Sequence, residues 1–464
     1  MATTPIESPP GSKGRARQLI GSDDLGALVL VVAIPLLFLH ERYHPALAID
    51  LGSTSVDARL SDLAVLAVIV AASAAAARIG FARLRAARML WITGAALLGW
   101  LALQLLRPAS LDDARFADHA VSYLKLVEYA LLAVAVPLLV RRPRDLALVL
   151  GSFVLWGALA TAVAVLQFAG WDVFEAWNPG WRQPSFLGHH DLAALAAIGA
   201  ALAAAGIVAG RARTPAPRLF VVALVGGVVG LVLAGSVAAA AGLAGGAALL
   251  WIAARTRFAP SGRQTLALVA VVAVVGGGVV TIRDSDLGNF LRFLGLRGDA
   301  PVEGVESYSQ RTVLSYIGLR VFVDHPVVGV GWLRSSRPEV FEPYLDDARA
   351  RFPDVVDEAF PAAGREWGVQ NLYIQMLADA GVIGLALLLA VGAAGIALAW
   401  RTVRRAPPVW ATGAGLVGIC ALVTLAGEWA SMGIVAGIPL QAATCLLLGL
   451  AAAGAAVVAE EPSG

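Results

Sequence analysis

The sequence predicts an all-α integral membrane protein. Of its 464 residues, 58% are hydrophobic and 15% are charged, and the mean hydropathy is +0.75. A soluble protein carries about 25% charged residues. Several apolar runs also exceed the roughly 18 residues that mark a helix crossing a bilayer. We therefore expect about twelve transmembrane helices, with one long polar interval between the ninth and the tenth.

The apolar runs divide the chain into five parts. Residues 1–22, with prolines and mixed polar side chains, are predicted to be a disordered tail. Nine membrane helices follow within 23–281, then a helical loop domain at 282–370, three more helices within 371–459 and a short tail at 460–464. The predicted spans are 25–40, 60–78, 89–106, 123–140, 145–168, 191–209, 219–235, 236–253, 264–281, 371–400, 410–428 and 434–458.

Short arginine-rich links predict the orientation in the membrane, because cytoplasmic loops carry an excess of Lys and Arg. Every second link is basic, and these links fall on the same side as the basic N-terminal tail. They lie at 78–88, 141–144, 211–218, 255–263 and 401–405. Both termini are therefore predicted to be cytoplasmic, and the loop domain is predicted to be extracytoplasmic.

The loop between the fifth and sixth spans brings Arg182, His189, His190 and Asp191 together just before a membrane helix. An arginine and histidines near a helix N-terminus suit a phosphate group. Asp191 is alternatively a helix cap, since orphan amides and the helix dipole favour a carboxylate there. Adjacent histidines on a helix diverge and no second ligand cluster is evident, so we expect neither a metal nor another cofactor.

The same loop carries three tryptophans, Trp171, Trp177 and Trp181. Tryptophans near a membrane surface commonly form an interfacial belt. A platform for sugar rings is the alternative interpretation, and the sequence alone does not choose between the two.

The polar interval contributes further candidates for anion binding. Arg311 and Arg320 lie on a predicted helix near 311–323. Arginines on such a helix snorkel, form salt bridges or bind anions. Converging with Arg182, they would hold a diphosphate through charge-assisted hydrogen bonds. The Asp-Ser-Asp string at 284–286 is interpreted as a helix cap rather than a metal site.

A polar stripe opens the tenth span. Asn371, Gln375 and Asp379 follow one another at steps of four and so line one helix face. At the mouth of a membrane helix such a stripe must face protein or water, which makes it a functional candidate. Glu428, near the end of the eleventh span, is either an intramembrane functional carboxylate or an interfacial residue.

The order of these features resembles the O-antigen ligase and polymerase superfamily of bacterial membrane glycosyltransferases. The matching pieces are Arg182 with the Gly-His-His-Asp turn at 188–191, Arg311 with DHPVVGVGW at 324–332, and QNLYIQMLADAGVIGL at 370–385. The topology and the large loop before the tenth span also match, so that the resemblance covers most of the chain.

The resemblance implies a metal-independent, inverting transfer of a glycan from a polyprenyl diphosphate, such as undecaprenyl diphosphate, to an acceptor hydroxyl. It implies a fold like the GT-C-type helical glycosyltransferases and a place in the bacterial cytoplasmic membrane, in cell-envelope or surface polysaccharide synthesis. The partners would be the lipid-linked donor, a glycan or glycolipid acceptor and the bilayer, without nucleic acid. Arg182, Arg311, Arg320 and Asn371 would hold the diphosphate.

The chain departs from the family at two positions. Ligases have an essential histidine where this sequence has Gln370, and Val237 replaces the arginine of a common Ser-Arg pair after the seventh span. The glutamine amide can orient a diphosphate or a hydroxyl but cannot act as a base. His189, His190 or Glu366 would then take the role of the base, beside Gln370 in the catalytic site.

Two other functions compete with glycosyl transfer. A transporter or flippase of lipid-linked glycans would need polar residues deep along several spans, and the middles of spans two, six, eight and nine are nearly all small or apolar. A noncatalytic membrane relative is the third hypothesis. Ligation and polymerisation both fit the sequence, and neither the sugar nor the acceptor can be inferred from it.

Overall fold

The computed structural model describes residues 24–51, 54–293, 307–353, 355–362, 364–434 and 438–460. Three predicted parts lie outside these described residues: the tail at 1–22, the end of the C-terminal tail at 461–464, and part of the loop domain at 294–306.

A β-hairpin that the sequence analysis missed follows the first helix, with β1 (Ala46–Leu51) antiparallel to β2 (Thr54–Arg59). The longer helices are α1 (Asp24–Leu37), α2 (Leu60–Ile79), α3 (Arg88–Leu105), α4 (Phe116–Leu139), α5 (Pro143–Phe168), α6 (His189–Ala209), α7 (Phe220–Ala234), α8 (Val237–Arg255), α9 (Gly262–Ile282), α10 (Asp284–Phe293), α11 (Ser307–Asp324), α12 (Leu345–Arg351), α13 (Leu372–Arg405), α14 (Gly418–Glu428) and α15 (Ile438–Glu460).

Shorter helical turns join these elements. Single α-helical turns lie at Pro108–Leu111, Pro338–Phe341 and Pro408–Trp410, and a π-helical stretch, Ala411–Val417, leads into α14. Turns of 3₁₀ helix lie at Glu41–Tyr43, Ala82–Ala87, Arg211–Arg213, Pro217–Leu219, Arg334–Ser336, Glu342–Tyr344, Asp357–Ala359 and Trp429–Ser431.

Within the described residues, 11 helices are long and apolar enough to cross a membrane. They are α2 to α9, α13, α14 and α15, several of them extended by adjoining turns, and they correspond to the second to twelfth predicted spans. The prediction of an all-α integral membrane protein is confirmed.

The first predicted span, 25–40, differs from the other spans. The structure has a helix of 14 residues there, α1, with Pro35 inside its last turn. A helix of that length rises about 21 Å, less than the roughly 30 Å of a bilayer core. α1 packs against α2 and α5 at the edge of the bundle. In place of the roughly twelve spans expected, the described residues contain 11 helices long enough to span and one shorter apolar helix.

The connections gather at two ends of the bundle. The loop domain and the connections α1–α2, α3–α4, α5–α6, α7–α8 and α14–α15 share one end, called the loop end below. Direct contacts tie them together, for example from the Arg107 guanidinium to the Gly329 carbonyl at 2.9 Å and from the Gln183 amide to the Leu233 carbonyl at 2.7 Å. The basic links meet at the opposite end, where Arg257 donates to the Val403 carbonyl at 2.8 Å.

α6 is the central helix of the bundle. Nearly all of its residues are buried, and it packs against α5, α7, α8, α9, α14 and α15. Small side chains permit this packing: a Cβ atom on Gly227 of α7 would collide with the backbone of Ala200 in α6. The first turn of α6 therefore lies at the centre of the loop end.

The predicted spans 219–235 and 236–253, which adjoin in the sequence, form a tight helical hairpin. α7 ends at Ala234, Gly235 adopts the left-handed conformation with φ 63°, and Ser236 caps α8 by accepting from the Ala239 amide at 3.1 Å. A Cβ on Gly235 would approach the Arg182 Cβ to 2.8 Å, so both the conformation and the space require glycine.

Candidate functional site

The DHPVVGVGW turn docks against a break in α13. Gly381, with φ 67° and ψ −170°, interrupts the helix, and the Val382 amide donates to the Pro326 carbonyl at 2.9 Å. The Val330 amide likewise donates to the Ala378 carbonyl at 2.9 Å. Trp100 of α3 donates its indole N–H to the Ala380 carbonyl at 3.0 Å. The DHPVVGVGW turn and α3 thereby provide hydrogen-bond partners for backbone groups that the break in α13 would otherwise leave unpaired in an apolar bundle.

Glycines make this docking possible. A Cβ on Gly381 would overlap the Val327 carbonyl, and one on Gly329 would overlap the backbone of Asp379. The two sequence segments that carry the family resemblance thus meet backbone to backbone. Together, these two segments hold the loop domain against α13.

The polar stripe of α13, predicted to face protein or water, faces protein: Gln375 and Asp379 are buried, Asn371 is partly buried, and all three bind backbone groups. Asn371 caps α13, with Oδ1 accepting from the Tyr373 and Ile374 amides at 3.1 and 3.2 Å. Gln375 accepts from the Ile434 amide at 2.7 Å, and Asp379 accepts from the Ser335 amide at 2.8 Å. Asn371, which we predicted to bind diphosphate, therefore already uses its carbonyl oxygen as a helix cap.

A carboxylate at the end of α14 holds an imidazole at the start of α6. Glu428 is fully buried, and its two oxygens contact Nδ1 of His190 and the hydroxyl of Ser236. The Ser236 hydroxyl donates to the carboxylate while accepting from the Ala239 amide. Three elements that are distant in sequence are joined by this one carboxylate.

Arg311 of α11 completes the chain of contacts. Its Nη2 lies 3.2 Å from Nε2 of His190, and its Nε donates to Oε1 of Gln370 at 2.9 Å. The result is a continuous network Ser236–Glu428–His190–Arg311–Gln370, called the reactive network below. It joins two residues predicted as catalytic, His190 and Gln370, to the predicted diphosphate ligand Arg311.

The partners of His190 define its hydrogen positions. A guanidinium only donates and a carboxylate only accepts. Nε2 therefore presents its lone pair to Arg311, and Nδ1 carries the proton that is donated to Glu428. A carboxylate that fixes the tautomer and orientation of an imidazole is the arrangement that prepares a histidine for general base catalysis.

Arg182 and His189 lie on the neighbouring side of the α6 N-terminus. The Arg182 guanidinium lies 4.5 Å from the centre of the Trp177 ring, and the His189 ring packs on the same indole at 4.1 Å between centroids. The adjacent histidines point apart, as predicted, so His189 is directed toward Trp177 and His190 toward Glu428. The aliphatic part of the Arg182 side chain lies against Gly235, the residue before Ser236, because a Cβ on Gly235 would come within 2.8 Å of the Arg182 Cβ.

Arg283, which the sequence analysis did not single out, is buried beside the same turn. Its side chain is 2% exposed, it pairs with Asp286 at 2.8 Å, and its Cδ lies 3.4 Å from the position of a Cβ on Gly235. Asp284 and Asp286 begin α10, where carboxylates favour the helix N-terminus. Among the described residues, no group of three or more His, Cys, Asp or Glu side chains could hold a metal ion.

Arg320 lies apart from the reactive network. It follows Arg311 by nine residues, which places it on the opposite face of α11 at about 100° per residue. There it pairs with Asp347 of α12 at 2.9 Å, and both side chains are nearly half exposed. The predicted convergence of Arg311 and Arg320 does not occur in this structure.

Glu366 belongs to a different cluster, called the loop clamp below. Its carboxylate pairs with Arg115 at 2.9 Å and with Arg337, and Arg337 and Arg334 flank the buried Asp113 at 3.3 and 3.4 Å. The hydrogen bond from Arg115, together with the charges of Arg115 and Arg337, holds the pKa of Glu366 below its usual value although burial opposes this. Glu366 thus stays ionised and fastens the loop domain to the α3–α4 connection.

Sequence reasoning missed two members of the site and undervalued a third. Ser236 was noted only as the first residue of a predicted span and the serine of the incomplete Ser-Arg pair, Arg283 was not noted, and Glu428 was considered without a partner. For Glu428 the signal was an ionisable residue inside an apolar run. For Ser236 and Arg283 the signal was weaker, since each is an ordinary polar residue at a span end.

Comparison with protein families gives one match at this point. The model of the family described as O-antigen ligase matches residues 220–389. The matched segment comprises 170 of the 464 residues of the chain. It contains Ser236, Arg283, Arg311 and Gln370, and the resemblance inferred from the sequence is confirmed. A comparison with curated proteins gives no match.

A match to the O-antigen ligase family supports glycosyl transfer as the function to be tested in this multi-pass membrane protein. The matched segment spans α7 to the first half of α13. The α6 histidines and Glu428 lie outside it, and the structure brings them to the matched residues. The site is therefore built partly from the O-antigen ligase segment and partly from the helices around it.

Proposed function

We propose that this protein transfers a glycan from a polyprenyl diphosphate to an acceptor hydroxyl at the loop end of the bundle. One observation above all supports this proposal: His190 lies between a buried carboxylate and an arginine, at the N-terminus of the central helix. Such a site combines a base with cations that suit a diphosphate, the two groups that this transfer needs.

In the proposed reaction His190 acts as the base. Its Nε2 takes the proton of the acceptor hydroxyl as the oxygen attacks the anomeric carbon of the donor. The bond between that carbon and the diphosphate oxygen breaks, and the diphosphate leaves with the electron pair. Glu428 stabilises the imidazolium that forms, and Arg182 and Arg311 stabilise the leaving group. Attack opposite the leaving group inverts the anomeric centre, and no metal takes part.

Arg311 gives the site a way to respond to the donor. Without substrate its Nη2 occupies the lone pair of His190 Nε2. A diphosphate attracts a guanidinium more strongly than a neutral imidazole does, because the hydrogen bond is then charge-assisted on both sides. Donor binding would draw Arg311 away and release Nε2 for the acceptor. Gln370, which also accepts from Arg311, would orient the guanidinium or the diphosphate.

The orientation and location belong to the same proposal. The basic links at one end of the bundle favour a cytoplasmic position for that end and for both termini. The loop end then faces outward, in the cytoplasmic membrane of a bacterium. Nucleoside triphosphates are not available on that side, which favours a lipid-linked donor that is already activated.

The lipid-linked glycans of a strain lacking this gene test the proposal directly. We would resolve this pool by chain length and by membrane face. Long chains retained on the carrier at the outer face indicate a ligase, and single repeat units there indicate a polymerase. Units trapped at the cytoplasmic face indicate the competing flippase function, and an unchanged pool indicates a noncatalytic relative. Either of these last two results overturns the proposal.

Arginine variants test the assignment of the site. Arg182→Ala and Arg311→Ala should each reduce transfer by about 10² to 10³, the loss typical of one donor to a developing anion. Arg320→Ala removes an arginine from the opposite face of the same helix and should transfer glycan at the wild-type rate. Retained activity in both Arg182→Ala and Arg311→Ala, with folded protein, would reject these two ligands.

A further inference from the structure

The connection between α5 and α6 forms an open cavity of about 600 Å³ that the proposed reaction does not use. Three indole rings line it, from Trp171, Trp177 and Trp181, together with the polar side chains of Asp172 and Asn178. Protein pockets for small ligands have volumes of about 300 to 1,000 Å³. The cavity is therefore of the size that accepts one or two sugar rings.

The tryptophans present unusually large exposed surfaces. Trp171, Trp177 and Trp181 are 62%, 44% and 48% exposed at the loop end. Interfacial belt residues are spread around the lipid-facing perimeter of a membrane protein. These three instead converge on one cavity within 11 residues of chain, with an amide and a carboxylate beside them. A pyranose ring offers the complement, with C–H faces for the indoles and hydroxyls for the polar groups.

Two buried glutamines hold the loop in this shape. Gln183 accepts from the Trp177 amide at 3.0 Å and donates to the carbonyls of Asn178 and Trp181 at 2.9 and 3.2 Å. Gln167 donates to the Val173 carbonyl at 2.7 Å. Both glutamine side chains are fully buried. The loop is thus fixed by its own side chains before any ligand binds, which lowers the entropy cost of binding.

The cavity adjoins the proposed reaction site. Trp177 forms one wall of the cavity, and its ring also contacts the Arg182 guanidinium and the His189 ring. A sugar bound in the cavity would therefore lie next to a diphosphate held by Arg182.

We propose that this tryptophan cavity binds pyranose rings of the glycan substrate. This inference rests on the proposed glycosyl transfer and extends it with a place for the sugar. The same ring chemistry belongs to two sources, the glycan of the lipid-linked donor and the glycan of the acceptor.

The first test is direct binding, which does not depend on transfer. The probe is the free oligosaccharide released by mild acid from the host's own lipid-linked glycan, titrated calorimetrically into the full-length protein in nanodiscs. Truncating both exposed rings, in the double variant Trp171→Ala/Trp181→Ala, should weaken binding by at least about tenfold, because both stacking surfaces are lost. The variant Trp171→Phe/Trp181→Phe keeps stacking rings and should bind within about threefold of the wild type.

The matched control is Trp400→Ala, which removes a tryptophan of α13 at the opposite end of the bundle and should leave binding unchanged. Gln183→Leu keeps every indole but removes the bonds that shape the loop, and it should weaken binding as well. No saturable binding by the wild type, or equal binding by the wild type and the Ala/Ala variant, overturns the proposal and leaves an interfacial belt.

Kinetics then separate the two sources of the sugar. A raised KM for the lipid-linked donor alone assigns the cavity to the donor glycan, and a raised KM for the acceptor alone assigns it to the acceptor glycan. Unchanged KM values for both substrates, in the Ala/Ala variant, also overturn the proposal. Loss of transfer in the arginine variants bears only on the proposed function, whereas oligosaccharide binding bears only on the cavity.

Discussion

Two carboxylates at the loop end show how the same chemical group serves two purposes. Glu428 is fully buried and bonds to an imidazole and a hydroxyl. Glu366 is 36% exposed and pairs with two guanidinium groups, those of Arg115 and Arg337. The partners of Glu428 are groups whose hydrogens can move, while those of Glu366 are permanent cations.

The difference assigns a role to each network. A carboxylate held by two arginines keeps its charge, so Glu366 joins two parts of the chain and is a poor proton acceptor. A buried carboxylate beside a histidine stabilises positive charge on that ring when it arises. The loop clamp therefore holds the loop domain in place, and the reactive network carries the chemistry.

The largest expected effect is at the reactive network. His190→Ala should reduce the rate of transfer by about 10³, because general base catalysis typically contributes 10² to 10⁴. The KM for the lipid-linked donor should change little, because Arg182 and Arg311 remain. Transfer by purified protein in nanodiscs, from donor isolated from the deletion strain, measures both quantities.

Two further variants sharpen this result. Glu428→Gln retains an acceptor for the Nδ1 proton but loses the charge that stabilises an imidazolium, so kcat should fall by less than in His190→Ala. His325→Ala removes an exposed histidine from the docked turn at the same end and should behave as wild type. Equal loss in the His190 and His325 variants would contradict a base at His190.

The next largest effect is expected where the loop domain docks on α13. Gly381→Ala places a Cβ against the Val327 carbonyl, in a backbone conformation that disfavours alanine. Strain and overlap together should cost about 3 kcal/mol of stability or more. The midpoint of thermal unfolding should fall, and transfer should fall with it because Arg334 and Arg337 of the loop clamp directly follow the turn in the chain.

Gly392→Ala is the matched control for this change. Gly392 lies in the same helix, and among the described residues no heavy atom beyond its chain neighbours and the adjacent helix backbone lies within 4 Å of a Cβ built there. Alanine in a helix is favoured over glycine by about 1 kcal/mol, so this variant should be at least as stable as the wild type. Equal unfolding temperatures for the two variants would show that the turn does not depend on close approach at Gly381.

The parts of the fold that sequence could predict are those that local pattern determines. Apolar length located the spans from α2 onward, including the two adjoining spans that meet at Gly235 and Ser236. Helical spacing could also have shown that Arg311 and Arg320 do not converge, because a step of nine residues at about 100° each places two side chains on opposite faces of a helix. The capping role of Asn371 had a local signal too, an asparagine directly before the first helical residue.

The site itself depends on contacts between distant parts of the chain. Ser236 and Glu428 are 192 residues apart, and Arg311 and His190 are 121 residues apart. No local pattern encodes such pairings. Glu366 and His190 were therefore equal candidates for the base in the sequence, and they differ only through the partners that the fold gives them.

The smallest expected effect is at the loop clamp. Glu366→Gln removes the charge from a partly exposed ion pair, so it should lower stability by less than about 1 kcal/mol. Because its pKa is lowered in the folded protein, Glu366 stabilises the clamp above its unfolded pKa of about 4.3, and that stabilisation is lost as pH falls through the folded value. Limited proteolysis of the loop domain between pH 7 and pH 3 should reveal an acid-dependent opening that Glu366→Gln lessens. Glu358→Gln, at an exposed position of the same loop, should keep the wild-type pH dependence.

At neutral pH the Glu366→Gln variant should still transfer glycan, because the carboxylate that it lacks holds the loop in the wild type and takes no proton in the reaction. If Glu366→Gln abolished transfer while the loop stayed protected from protease, the roles of the two carboxylates would have to be exchanged.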